Sequence, residues 1–142
     1  MNVYVDTSVI LRVIFREPDP VPDWGKWREA YVSRLWHTEA LRVIDRMRLT
    51  SAINDQQVAQ LRNEIDRIHH AFHIVSVSER ILARAGDAFP TVVGTLDAIH
   101  LATALYLRET VMINAFITHD IQLATAAEAM GFSVHGARVS IG

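Results

Sequence analysis

Four carboxylates in this chain stand where they could do chemistry. Asp6 directly follows the apolar run Val3-Tyr4-Val5, and Asp120 follows Phe116-Ile117-Thr118 after one residue, His119; each precedes a helical pattern. Asp97 opens the helical stretch TLDAIHLATAL, and Glu39 is placed in the first turn of the helical stretch Leu35–Leu49. An acid at a helix start has a plain structural use. It caps free N–H groups and complements the macrodipole, for about 0.3–1 kcal/mol each. That use suits any one of the four taken alone. The set is harder to explain this way, because Asp6 is flanked by apolar residues and Asp97 lies in a run that is apolar on nearly every side. Burying an unpartnered charge costs several kcal/mol. A hard divalent cation such as Mg²⁺ would satisfy several carboxylates at once and keep waters for a substrate.

The elements that must position these acids alternate between strand and helix. Met1–Val5 reads as a strand and Ser8–Phe15 as a helix. The stretch REPDPVPDWG, Arg16 to Gly25, holds Pro18, Pro20 and Pro22 and reads as a surface loop. A short helix is expected over Asp23–Ala30, then a strand near Tyr31–Ser33. Leu35–Leu49 and Asp55–His70 carry helical periodicity, the second capped by Asn54. Ile74–Val77 reads as a strand, Ser78 caps a helix to about Asp87, and Leu96–Glu109 is helical. Ala115–Thr118 is a strand, Ile121–Met130 a helix ending at Gly131, and Ser133–His135 a last edge strand. Short strands separated by helices imply an α/β fold with a short parallel sheet covered on both faces. The long helix pair between Leu35 and His70 reads as a helical arm. In open sheets of this kind ligands bind outside the carboxyl ends of the strands, where Asp6 and Asp120 should emerge.

Composition narrows the function classes. The chain has 142 residues, which suggests one domain over 1–142. It has no cysteine, so disulfides, thiol catalysis and Cys-ligated metals are excluded. The net charge of −2 argues against a nucleic-acid binder that works by bulk charge alone. No apolar run reaches the roughly 18 residues of a membrane helix, and the start, with Asp6 inside its apolar stretch, does not read as a signal peptide; a cytoplasmic protein is the expectation. Of the 14 basic residues only Lys26 is a lysine. Phosphotransfer domains of the receiver or haloacid-dehalogenase type want a lysine late in the fold. The dehalogenase type also wants an acid two residues after the first Asp, where this chain has Ser8.

Four segments resemble, in order and spacing, the PIN-domain ribonucleases, and in detail the VapC toxins of bacterial toxin–antitoxin pairs. They are YVDTSVILR, SRLWHTEALRVIDRMR, TLDAIHLATAL and FITHDIQLATAAEAMGF, and the likeness covers almost the whole chain. The resemblance implies a PIN-like fold with Asp6, Glu39, Asp97 and Asp120 as an acidic, metal-binding and catalytic cluster, and with Ser8 and Thr118 as pocket hydroxyls. It implies Mg²⁺- or Mn²⁺-dependent hydrolysis of RNA, in tRNA or rRNA, leaving a 5′-phosphate and a 3′-hydroxyl. Asp6 and Asp97 would bind the main ion, Asp120 a second ion or a bridging water. Glu39 would bind metal or orient the attacking water, and both roles stay open. A VapB-like antitoxin and a homodimer are the implied partners. The alternative is an RNA-binding or interaction module of the same fold that does not cleave.

The remaining polar residues carry less. Arg42 and Arg46 share the Glu39 face of their helix and could hold phosphates, or Arg42 could pair with Glu39 along the helix. Arg12 and Arg16 read as a solvated face. His69, His70 and His73 match no zinc spacing and read as a surface cluster. His100 is expected to pack or to hydrogen-bond, and His119 could approach a phosphate. Trp24, Trp27 and Trp36 read as core or interface.

Overall fold

The computed structural model describes residues 1–137. Five strands form one sheet: β1 (Asn2–Val5), β2 (Glu29–Ser33), β3 (His73–Val75), β4 (Ala115–Ile117) and β5 (Val134–His135). They lie in the order β3-β2-β1-β4-β5, and every pairing is parallel. Six helices link them: α1 (Thr7–Ile14), α2 (Leu35–Leu49), α3 (Asp55–Ala71), α4 (Glu79–Ala85), α5 (Thr95–Arg108) and α6 (Ile121–Ala129). No helix among the described residues is long and apolar enough to cross a membrane.

Strand alternation divides the core into two layers. Val3, Val5, Val32, Ala115 and Ile117 point to one face, where α1, α2 and α3 bury Val9, Ile10, Trp36, Ile44 and Ile65. Tyr4 and Phe116 point to the other, against Leu101, Ala104, Leu123 and Ala127 of α5 and α6. The α2–α3 hairpin is seated on the first layer through Trp36, Ala40, Ile44, Ile65 and Ile68, and Leu49 at its tip is exposed. Asn54 and Gln57 close a reciprocal capping box at the start of α3.

The helix expected over Asp23–Ala30 does not form. Two turns, closed by Trp24 N–H to Val21 O and Lys26 N–H to Asp23 O, replace it, and Gly25 takes a left-handed φ of 77°. Arg28 N–H then bonds Met1 O, and β2 starts at Glu29 as the neighbour of β1. Pairing with the central strand uses the backbone that a helix would have consumed. Elsewhere the bounds move by a few residues: β3 starts one residue earlier and ends at Val75, α4 ends at Ala85, and β4 ends at Ile117.

The chain returns over the end of β4 at Gly136, whose φ is 98° and where a Cβ would lie 2.6 Å from Thr118 O. Its carbonyl accepts from His119 Nδ1–H at 2.9 Å. Gly136→Ala is therefore expected to lower unfolding stability by about 1–3 kcal/mol through backbone strain and overpacking. A denaturant titration checks this, and an unchanged midpoint would show that the segment yields freely.

Candidate functional site

The carboxyl ends of β1 and β4 are adjacent in the sheet, so the acids that follow them meet. Asp6 is the N-cap of α1 and Asp120 the N-cap of α6, accepting from Leu123 N–H at 2.9 Å. Asp97 sits in the first turn of α5. Glu39 is the fifth residue of α2, so with 3.6 residues per turn it stands one turn in rather than in the first turn. All four line one cavity of about 420 Å³, with Ser8, Arg42, Arg46 and the apolar Leu11, Leu35, Val43 and Leu96.

Asp6 is buried and held by one oxygen. Its Oδ2 accepts from Ser8 Oγ at 2.6 Å and from Thr118 Oγ1 at 2.9 Å. Both hydroxyls are anchored in turn: Ser8 Oγ accepts from His119 N–H at 3.1 Å, and Thr118 Oγ1 from Asp120 N–H at 3.0 Å. The two hydroxyls read from the sequence thus tie the β1 and β4 corners together, and they fix both aspartates in the process. Ser8 lines the cavity as expected, whereas Thr118 does not and is fully buried behind it.

Glu39 is held from beneath. Thr7 Oγ1 donates to its Oε1 at 2.7 Å, and His100 Nε2 lies 2.6 Å from the same oxygen. Burial pushes the Glu39 carboxyl up, but the hydrogen bond and charge of His100 and the Thr7 hydroxyl outweigh it and hold its pKa below the usual value. Asp97 goes the other way. Burial, then the charges of Asp6 and Asp120, push its pKa up to about 6. Among the described residues its carboxylate takes part in no hydrogen bond or ion pair. The cavity therefore carries more negative charge than its own protein partners neutralise, and a hard cation suits that oxygen-rich donor set. Among the described residues, however, no group of three or more His, Asp or Glu side chains is drawn together closely enough to hold a metal ion as it stands.

The other candidates separate. Arg42 pairs with Asp45 at 2.9 Å, not with Glu39, since an acid three residues on competes for it. Arg46 is exposed at the same rim. Arg12 bonds Asp19 O and pairs with Glu17, so it braces the proline loop rather than the cavity. His69, His70 and His73 each have a different partner: Trp36, the Asp66 carbonyl and Glu29. The His119 ring turns to Gly136 and does not line the cavity. Trp36 is core, and Trp24 and Trp27 pack against the same core layer from the loop. Thr7 and Tyr4 were not legible as site residues, because nothing in their own segment shows that α5 delivers His100 between them.

Comparison with known proteins agrees with this architecture. The PIN domain family model matches residues 3–129. The chain belongs to the PIN domain family. It is 29% identical over 132 residues to Ribonuclease VapC46 of Mycobacterium tuberculosis, covering 93% of this chain and 95% of the relative. It is 27% identical over 137 residues to Ribonuclease VapC47 of that species, covering 92% and 93%. In fold it is similar to a toxin–antitoxin complex chain from Klebsiella pneumoniae, with a TM-score of 0.66 at 15% identity over 94% of this chain and 95% of that one. It is also similar to a chain of VapBC2 from Rickettsia felis, solved with a promoter DNA fragment, with a TM-score of 0.65 at 13% identity over 95% and 98%.

Proposed function

We propose that the chain works as one PIN domain, a metal-dependent endoribonuclease toxin of the VapC kind, cytoplasmic, dimeric and neutralised by a VapB-like antitoxin. The observation that carries this reading is the convergence of Asp6, Glu39, Asp97 and Asp120 on one cavity at the carboxyl edge of the sheet, with the Asp97 pKa pushed up by burial and then by the charges of Asp6 and Asp120. The family match and the VapC ribonucleases among the relatives support it. Asp6 and Asp97 would hold Mg²⁺ or Mn²⁺, with Asp120 and Glu39 completing the set. Such an ion, when bound, lowers the pKa of water and steadies charge on a phosphodiester.

The chain's own residues then have distinct tasks. Asp6 is locked through Oδ2 by Ser8 and Thr118, which leaves Oδ1 free of those two hydroxyls. The Asp97 carboxylate, with no hydrogen bond or ion pair among the described residues, is left for a ligand. Glu39, ionised at neutral pH, would bind metal or orient the attacking water. Arg42 and Arg46 at the rim would hold backbone phosphates. The runner-up, an RNA-binding module without cleavage, draws on the absence of a preformed three-ligand group.

One experiment separates them. The protein is incubated with total bacterial RNA and Mg²⁺ or Mn²⁺, with and without chelator, and new 5′-phosphate ends are sequenced. Discrete metal-dependent ends are expected. RNA binding with no new ends would favour the runner-up.

A further inference from the structure

The imidazole of His100 is fully buried and does not line the cavity, yet it links three elements that build it. It lies on α5 three residues after Asp97. Its Nε2 is 2.6 Å from Glu39 Oε1, 3.1 Å from Thr7 Oγ1 and 3.6 Å from Asp6 Oδ1, and its Nδ1 is 2.8 Å from the Tyr4 hydroxyl. Tyr4 is itself fully buried in β1. A carboxylate only accepts hydrogen bonds, so Nε2 must carry the hydrogen in the neutral and in the charged ring alike. Tyr4 can serve both states, donating to a bare Nδ1 or accepting from Nδ1–H. The arrangement therefore survives a change in ring protonation, and a buried ring gripped at both nitrogens cannot flip without losing a partner.

Resting on the nuclease reading of this cavity, we propose that His100 is a positioning residue for Glu39: Nε2–H, with Tyr4 behind it and Thr7 beside it, pins Oε1 and turns Oε2 to the cavity. Among the described residues every hydrogen bond to the Glu39 carboxylate ends on Oε1, which leaves Oε2 for a ligand. Without this hold, a glutamate side chain on the second turn of α2 regains its rotamers, and the acids brought by α1, α5 and α6 lose a fixed counterpart. Tyr4 acts one step further back, from the core to the imidazole.

The test is a double-mutant cycle read on Mn²⁺ binding by titration, with RNA cleavage measured beside it. Loss of an outer partner of a metal ligand costs roughly 10–100-fold, so His100→Leu is expected to weaken Mn²⁺ binding by that factor. His100→Gln, whose amide can donate from a similar position, should recover most of it, and it serves if the leucine variant folds poorly. Because His100 acts through Glu39, adding His100→Leu to Glu39→Gln should cost little more than Glu39→Gln alone. Additive losses in the cycle, or wild-type Mn²⁺ binding in His100→Leu, would overturn the proposal. Wild-type protein that binds Mn²⁺ and leaves RNA intact would sink the nuclease reading while the cycle still decides the role of His100. Wild-type protein that binds no Mn²⁺ would overturn both.

Discussion

Asp97→Asn is expected to cut RNA cleavage by more than about 100-fold, beyond the 10–100-fold that loss of a mere outer partner costs, and to leave the metal-free protein at least as stable as the wild type. The two halves have one cause. Asp97 has a raised folded pKa of about 6, set by burial and by Asp6 and Asp120, against a usual value of 3.8. A carboxyl with a raised folded pKa favours the protonated native state. Its contribution to stability is therefore present below pH 3.8 and is lost as pH rises to 6 and beyond. Asparagine is neutral throughout. Thermal unfolding of the metal-free pair should coincide near pH 4 and separate in favour of Asp97→Asn above pH 6. Metal binding by the wild type should strengthen over the same interval, as the acid gives up its proton. Full cleavage by Asp97→Asn would remove Asp97 from the site, and a wild type more stable than the variant at pH 7 would show that its charge is already neutralised by protein groups.

The acids that could be read from the sequence are those whose local setting betrays them. Asp6 and Asp120 follow short apolar strands and cap the next helix, and Asp97 interrupts an apolar helix start. Three of the four thus follow from strand ends and helix starts. Glu39 carries a weaker local mark, its place near the start of a helical stretch. It stands one turn inside α2, with no strand end before it, and the resemblance of its segment to a family motif does more to single it out. The groups that hold it were harder still: Thr7, Tyr4 and His100 come from the start of α1, the middle of β1 and the first half of α5. Only the order β2-β1-β4 and the crossing of α5 bring them together. The sheet itself was legible, because each strand is a short apolar run bounded by helix signals. The Asp23–Ala30 stretch misled because Trp24 and Trp27, three apart, imitate a helical stripe, whereas both serve a turn that lays their rings on the first core layer near Phe72. Arg42 shows the same limit on a smaller scale, since spacing allows Glu39 and Asp45 equally and the fold decides for Asp45.

Trp36→Ala is expected to cost about 3–5 kcal/mol of stability, the range for emptying a large aromatic from a core, and to lower Tm by roughly 10–20 °C for a chain of this size. Trp36 is the largest fully buried side chain. It stands three residues before Glu39 on α2, and its Nε1–H donates to His69 Nδ1 on α3 at 3.1 Å. Burial, with His37 and Arg34 nearby, holds the His69 pKa below its ordinary value, so the ring stays neutral and keeps Nδ1 free to accept. The indole thus joins the two helices of the hairpin by packing and by one hydrogen bond, and it anchors the turn of α2 from which Glu39 projects. Trp36→Phe separates the two contributions. It keeps most of the volume and loses the donor, so it should cost only about 1–3 kcal/mol, the penalty of a smaller ring and an unmet acceptor. If α2 positions Glu39 as the geometry implies, both variants should weaken Mn²⁺ binding in the order of their destabilisation, even at temperatures where each remains folded. Denaturant titration and metal titration on the same samples decide this. A Trp36→Ala protein that stays folded and binds Mn²⁺ as tightly as the wild type would show that the floor of the site is carried by Thr7 and His100 alone.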